Sequence, residues 1–229
     1  MPGWAIHTII ANKISEKIKA DKNSFIFGNI VPDINNGYVV DNINILISHM
    51  DTHFTKEEDI KGLKFNFNNI ERFCDEYKNN MDNPIVLGYF THLLTDSFWN
   101  EMAFNEHYIY NENKEFMGVR LHDRTIIECD KKTATSMKQK EFKEFGVRLL
   151  HANKNIIFPT YSEELIKYSN TIKEIDINDE DVKKVIKHLN EVTKNQQIDE
   201  NFEYKVFSEK ELYEKYEKTI DYCLKNIKN

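Results

Sequence analysis

Isoleucines recur at three- and four-residue steps from Ile6 through Ile9, Ile10 and Ile14 to Ile18, the period of a helix with one apolar face. Phe67, Ile70, Cys74 and Tyr77 repeat that spacing and predict another helix. Pro84 stands where a first-turn proline opens a helix, ahead of the segment GYFTHLLTDSFW. Further on, Val182, Val185, Ile186, Leu189 and Val192 follow the cap candidates Asn178 and Asp179. The last periodic run passes through Leu212, Tyr216, Cys223 and Ile227, behind Ser208 and Glu211 at capping-box spacing. With only seven Gly and four Pro to interrupt it, this pattern predicts an all-α, multi-helix fold. Neither an internal repeat nor a low-complexity tract divides the 229 residues, so a single domain over 1–229 is expected.

The two halves of that pattern differ. Residues 1–130 carry six of the eight histidines, both tryptophans and short irregular connections such as FGNIVPDINNGY. Irregular segments on a rigid scaffold often present function, so chemistry is expected here. Residues 131–229 are Lys/Glu-rich amphipathic helix and read as a supporting half. Charge-rich stretches there, such as KEFKEF and YEKYEKT, read as solvated faces.

A 40% hydrophobic content suffices for a substantial core. The formal charge of -7 argues against a duplex nucleic-acid binder, whose affinity comes largely from neutralising phosphates. Cys74, Cys129 and Cys223 lack paired spacing and read as reduced, buried thiols. The N-terminus lacks the basic-then-apolar order of a signal peptide, and no apolar run reaches the roughly 20 residues of a membrane span. A cytoplasmic location without stable membrane insertion is therefore expected.

The candidate chemistry lies in polar residues set within apolar elements. His92 and Asp96 stand four residues apart, which puts their side chains about 5 to 6 Å apart on one helix face. Gly88 lies one turn earlier, where glycine costs roughly 1 kcal/mol relative to alanine, so a close approach to the backbone is expected. His7 falls on the isoleucine stripe of the first helix. Asp33 follows Pro32 at the end of an apolar approach, and His49 closes another apolar run, with Asp51 and His53 two and four residues on. Each has an ordinary structural reading as a satisfied core histidine or a turn aspartate. Together, three imidazoles and two carboxylates suit zinc or a similar borderline metal, because nitrogen and charged oxygen ligands neutralise the ion while the core shields it.

In order and context, His7, Asp33 in its Pro-Asp turn after Gly28, His49, and GYFTHLLTDSFW with His92 and Asp96 resemble the zinc-dependent phospholipase C family, which is similar in fold to fungal and plant single-strand nucleases. The resemblance covers roughly residues 1–130. It implies that His49, His92, Asp33 and Asp96 hold one zinc, that His7 with a shared Asp96 holds its neighbour, and that water bridging the two attacks phosphorus with Asp33 as candidate general base. The chain departs from the family at a third zinc: Asn100 or Glu101 occupies the first such position, and downstream only His122, Asp123, Glu128 and Asp130 are offered, at an unusual spacing. His107 is a further possible contributor. Family members that use an N-terminal tryptophan amine as a ligand also differ, since Trp4 here is preceded by Met-Pro-Gly.

These readings converge on a zinc-dependent hydrolase of a soluble phosphodiester or phosphomonoester, with Tyr38, Phe54 and Trp99 as residues that either enclose the substrate or belong to the core. Two alternatives stay open: a metal-dependent amide or ester hydrolase, and a non-catalytic protein that retains the fold.

Overall fold

The computed structural model describes residues 2–60 and 63–227, without the side-chain surroundings of 56–60 and 63–67. It is mostly helical, as the apolar period predicts. The helices are α1 (Trp4–Ser15), α2 (Lys22–Gly28), the short α3 (His49–Thr52), α4 (Ile70–Tyr77), α5 (Pro84–Met102), α6 (Lys131–Ala152), α7 (Glu163–Ser169), α8 (Asp179–His188) and α9 (Glu209–Ile227). A 3-10 turn spans Val31–Asp33. Strands β1 (Thr55–Ile60) and β2 (Leu63–Asn68) pair antiparallel, Thr55 opposite Asn68. Strands β3 (Tyr108–Tyr110), β4 (Phe116–Arg120) and β5 (Ile126–Glu128) form a small antiparallel sheet, bulged between Ile109 and Tyr110. These two sheets are the part of the architecture that a purely helical expectation leaves out.

Local chemistry sets the helix ends. Asn83 accepts from Ile85 N at 2.9 Å ahead of Pro84, whose ring presets the first turn of α5. Asn178 and Asp181 form a capping box on α8, and Ser208 and Glu211 exchange hydrogen bonds at the start of α9. The first helix ends at Ser15, so Ile18 lies beyond it in the turn that follows. Phe67 lies in β2 rather than in a helix: Asn69 accepts from Arg72 N at 3.0 Å and starts α4 only at Ile70.

Helix α5 is the centre of the molecule, packed against α1, α2, α4, α7 and α9. Its contact with α2 is backbone on backbone. A methyl group at Gly88 would stand 2.2 Å from the Phe25 carbonyl oxygen, and one at Gly28 would stand 2.4 Å from the Ile85 carbonyl oxygen. The close approach expected at Gly88 is therefore a helix crossing. Phe54 and Trp99 are core: Phe54 meets Phe73, Tyr77 and Tyr89, while the Trp99 indole donates to Thr219 Oγ1 at 3.0 Å. Tyr38 is exposed.

The KEFKEF segment departs from a solvated face. Glu141 and Glu144 are both buried. Glu141 accepts from three consecutive backbone amides, Lys205 and Val206 at 2.8 Å and Phe207 at 2.9 Å. Glu144 accepts from Asp199 N at 3.2 Å. The chain between α8 and α9 lies over α6 and turns two apparent surface carboxylates into anchors.

Candidate metal centre

Four separated elements bring six histidine and aspartate side chains to one place. Helix α1 supplies His7, the 3-10 turn Asp33, α3 and its C-cap His49 and His53, and α5 His92 and Asp96. His7, His53, His92 and Asp96 are fully buried, and Asp33 is 8% exposed. The ligand atoms of His7, His92 and Asp96 lie within 4.8 Å of one another, as do those of Asp33, His49 and His53. Asp96 joins the groups. Its Oδ1 is 3.3 Å from His7 Nε2, and its Oδ2 is 3.3 Å from both His53 Nε2 and His92 Nε2. His53 Nε2 is also 3.5 Å from Asp33 Oδ1.

The imidazoles are aimed from outside. Asn29 donates through its amide nitrogen to Gly88 O, which leaves its side-chain oxygen to accept from His7 Nδ1 at 3.2 Å. The Asn29 backbone carbonyl, which only accepts, lies 2.8 Å from His92 Nδ1. One residue thus fixes protons on two Nδ1 atoms and turns both Nε2 atoms toward Asp96, the outer-shell arrangement that orients ligating histidines. His7 and His92 stack with ring centroids 3.9 Å apart. Thr52 Oγ1 lies 3.0 Å from His53 Nδ1, and the Tyr89 hydroxyl donates to Thr52 O. Phe54, next in the chain, adopts a left-handed φ of 49°, a conformation bulky residues rarely take, and its ring is buried against Phe73, Tyr77 and Tyr89.

The fit to a metal rests on what the polar atoms do not do. Both Asp96 oxygens, His7 Nε2 and His49 Nδ1 are buried without hydrogen-bond partners, although Asp96 is at ion-pair distance from three imidazoles. Buried polar groups are ordinarily paired, and an unpaired carboxylate is costly to bury. These unpartnered atoms converge on the same space as His53 Nε2 and His92 Nε2, which lie 3.1 Å from each other, and together they match a cation held between them. The donor set, imidazole nitrogen with carboxylate oxygen, is that of zinc.

The charges agree with this. Burial would raise the Asp96 carboxyl, but the surrounding imidazoles, His92 first, hold it well below the usual range. Asp33 is likewise lowered against burial by His92 and His53. Burial pulls His7 down, reinforced by His92, and pushes His49 down to about 4, reinforced by His53. His92 alone of these three is raised, because Asp96 and Asp33 outweigh its burial.

All five residues read from the sequence, His7, Asp33, His49, His92 and Asp96, therefore meet at one centre, and the structure adds His53 and Asn29. It groups them in its own way: His92 falls with His7 and Asp96, while Asp33 and His49 fall with His53. Residues considered for a third ion go elsewhere. Asn100 accepts from Lys138 Nζ at 3.2 Å. His122 is on the surface against Tyr204 O, and Glu128 is exposed on β5. His107 donates through Nδ1 to Arg120 O and lies in a separate group with Glu106 and Glu211. Trp4 is a support for the centre, its indole donating to Asp33 Oδ2 at 3.0 Å while Asn36 donates to Oδ1 at 3.1 Å.

Two cavities open on Asp33. One, of about 530 Å³, is also lined by His49, Asn100 and Lys138; the other, of about 500 Å³, is bounded by Trp4, Ile6 and Phe142. Tyr38 borders both.

The sequence pattern of the zinc dependent phospholipase C family matches residues 4–226, and the chain belongs to that family. The match extends well past the roughly 130 residues on which the ligand pattern alone rests. No curated protein and no solved structure matches the chain.

Proposed function

We propose that this chain is a zinc-dependent hydrolase that cleaves a soluble phosphodiester or phosphomonoester, with His7, Asp33, His49, His53, His92 and Asp96 holding two zinc ions. The observation that carries the reading is the Asp96 carboxylate, fully buried among three imidazoles with neither oxygen hydrogen-bonded. Zinc bound there acidifies water and neutralises charge on phosphoryl oxygens. The protein supplies the rest. Asp33, ionised and held at both oxygens by Trp4 and Asn36, faces both cavities and serves as general base. It accepts the proton of the water that attacks phosphorus, as the ester P–O bond breaks and the leaving oxygen departs. Asn29 keeps His7 and His92 oriented throughout.

Soluble substrates are preferred because the cavity beside Asp33 and His49 also carries the polar side chains Asn36, Asn100, Lys138 and Gln139, which suit a charged, hydrated group. One observation favours a second reading, attack on a phospholipid at an interface: Tyr38, Leu46 and Met50 are exposed apolar side chains on the segment leading to and flanking His49. Elemental analysis combined with a substrate panel separates these readings. Two equivalents of zinc and chelator-sensitive turnover of bis(p-nitrophenyl) phosphate or p-nitrophenyl phosphate are expected. Turnover of phosphatidylcholine vesicles alone would move the assignment to the interfacial reading, and hydrolysis confined to amides or carboxylic esters would move it to another bond. A protein that neither takes up zinc nor is stabilised by it overturns the metal centre.

A further inference from the structure

Helix α6 belongs to the half of the chain that reads as support, yet it forms one wall of the larger cavity. Lys131, Thr135 and Lys138 line that wall, at steps of four and three residues that place them on one face. Lys138 differs from an ordinary surface lysine. It is 4% exposed, and among the described residues its ammonium donates to the neutral side-chain oxygen of Asn100 and reaches no carboxylate at ion-pair distance. The rings of Phe104 and Phe142 lie 6.0 and 5.9 Å away, at the outer limit of a cation–π contact. A buried ammonium without an anion is costly, so a position that keeps one while lining a cavity points to an anion that enters. Asp33 and His49 line the same cavity.

We propose that Lys138, oriented by Asn100, is an anion subsite that binds the non-bridging oxygens of the substrate's phosphoryl group in the cavity it shares with Asp33 and His49. This rests on the phosphoester reading. An ammonium offers three donors as a compact charge, so it suits a phosphoryl oxygen without demanding the planar fork that arginine requires. Burial lowers the ammonium to about 8, with the Asp96 charge opposing, which leaves it predominantly protonated at neutral pH. The bound class is therefore a phosphoryl anion, whether free or part of a lipid headgroup, rather than a neutral amide or carboxylic ester.

Calorimetric titration of inorganic phosphate into zinc-loaded wild type, Lys138→Met, Lys138→Gln and Lys138→Arg tests this, with zinc content measured on each sample. Expected are wild-type zinc content in all four and phosphate affinity weaker by about ten- to a hundredfold in the Met and Gln variants, the value of a charged hydrogen bond, with Arg restoring part of it. Glycerophosphocholine and phosphatidylcholine vesicles, run as competitors of phosphate, tell a soluble source from a lipid one. Unchanged phosphate affinity in Met and Gln at full zinc content overturns the proposal, as does a Lys138 effect confined to vesicles. Should Met fail to fold, Gln against Arg decides: loss of zinc and phosphate binding together in both marks Lys138 as packing. A wild type that binds phosphate through Lys138 yet hydrolyses no phosphoester retains the subsite and removes the hydrolase reading.

Discussion

Asp96 and Glu141 are both carboxylates buried in a helix, and the structure treats them in opposite ways. Glu141, on α6, accepts three backbone amides, so its burial is explained by the segment it anchors. Asp96, on α5, meets three imidazole nitrogens at 3.3 Å and hydrogen-bonds none of them. Their charges follow the same division. Burial, the largest influence, pushes the Glu141 carboxyl up against the pull of its amides, whereas the imidazoles hold Asp96 far down. Burial of a carboxylate is thus no mark of function by itself; what separates the two is whether the surrounding donors are already spent on it. Asp33 is intermediate, each oxygen held by one side chain while the group still borders two cavities.

The largest effect is expected at Asp96. Asp96→Asn keeps the size and removes the shared charge, so phosphoesterase activity should fall on the order of a thousandfold with loss of zinc. Its melting temperature should match that of chelator-treated wild type, since metal binding stabilises only the holo fold and is missing from both. If Asp96→Asn keeps full zinc and destabilises the metal-free and metal-loaded protein equally, the contrast with Glu141 disappears.

Glu141→Ala should show the reverse signature. Orphaning three backbone amides should lower unfolding stability by about 3 kcal/mol in denaturant titrations, with zinc per chain unchanged. A smaller change is expected at the intermediate carboxylate: Trp4→Phe removes the indole donor to Asp33 and should reduce activity by about tenfold while zinc is retained, in keeping with outer-shell losses. No change in activity there would leave Trp4 as packing alone.

The smallest effect concerns pH. With the Glu141 pKa raised in the folded state, the native chain binds more protons than the unfolded chain above the ordinary glutamate value of 4.5. That contribution is full below 4.5 and fades as pH rises through the folded value. In chelated samples, wild type should therefore gain stability relative to Glu141→Gln as pH is lowered toward 4.5. Thermal melts in which wild type gains relative stability as pH rises would reverse the sign and contradict the assignment.

The same contrast explains what was legible in the sequence. His7, His92 and Asp96 stand out because a polar residue on an apolar helical stripe is visible from periodicity alone. His53 does not, since it follows the four-residue helix α3 and no period runs through it. Only its four-residue spacing from His49 was available as a signal. Asn29 was hidden for another reason: its role depends on facing α1 and α5 at once, which no local pattern encodes. KEFKEF reads as solvated because the covering segment comes more than fifty residues later, as the Asp199 to Glu144 bond shows. The three-residue strands β3 and β5 are too short to carry a visible alternation, and the end of β2 reads as part of the helix that follows it because Phe67, Ile70 and Cys74 keep helical spacing.

The α2–α5 crossing carries a consequence for how this protein tolerates change over generations. Gly28 and Gly88 coordinate nothing, yet Asn29 follows Gly28 directly and donates to the Gly88 carbonyl. An inherited alanine at either glycine would wedge the crossing open and carry the shared aiming residue of His7 and His92 away with it. In a selection for activity, these two codons should be as intolerant as those of the ligands, while the exposed positions of α9 accept nearly any polar residue. Invariance at a residue that touches no ligand would then record the geometry of a crossing.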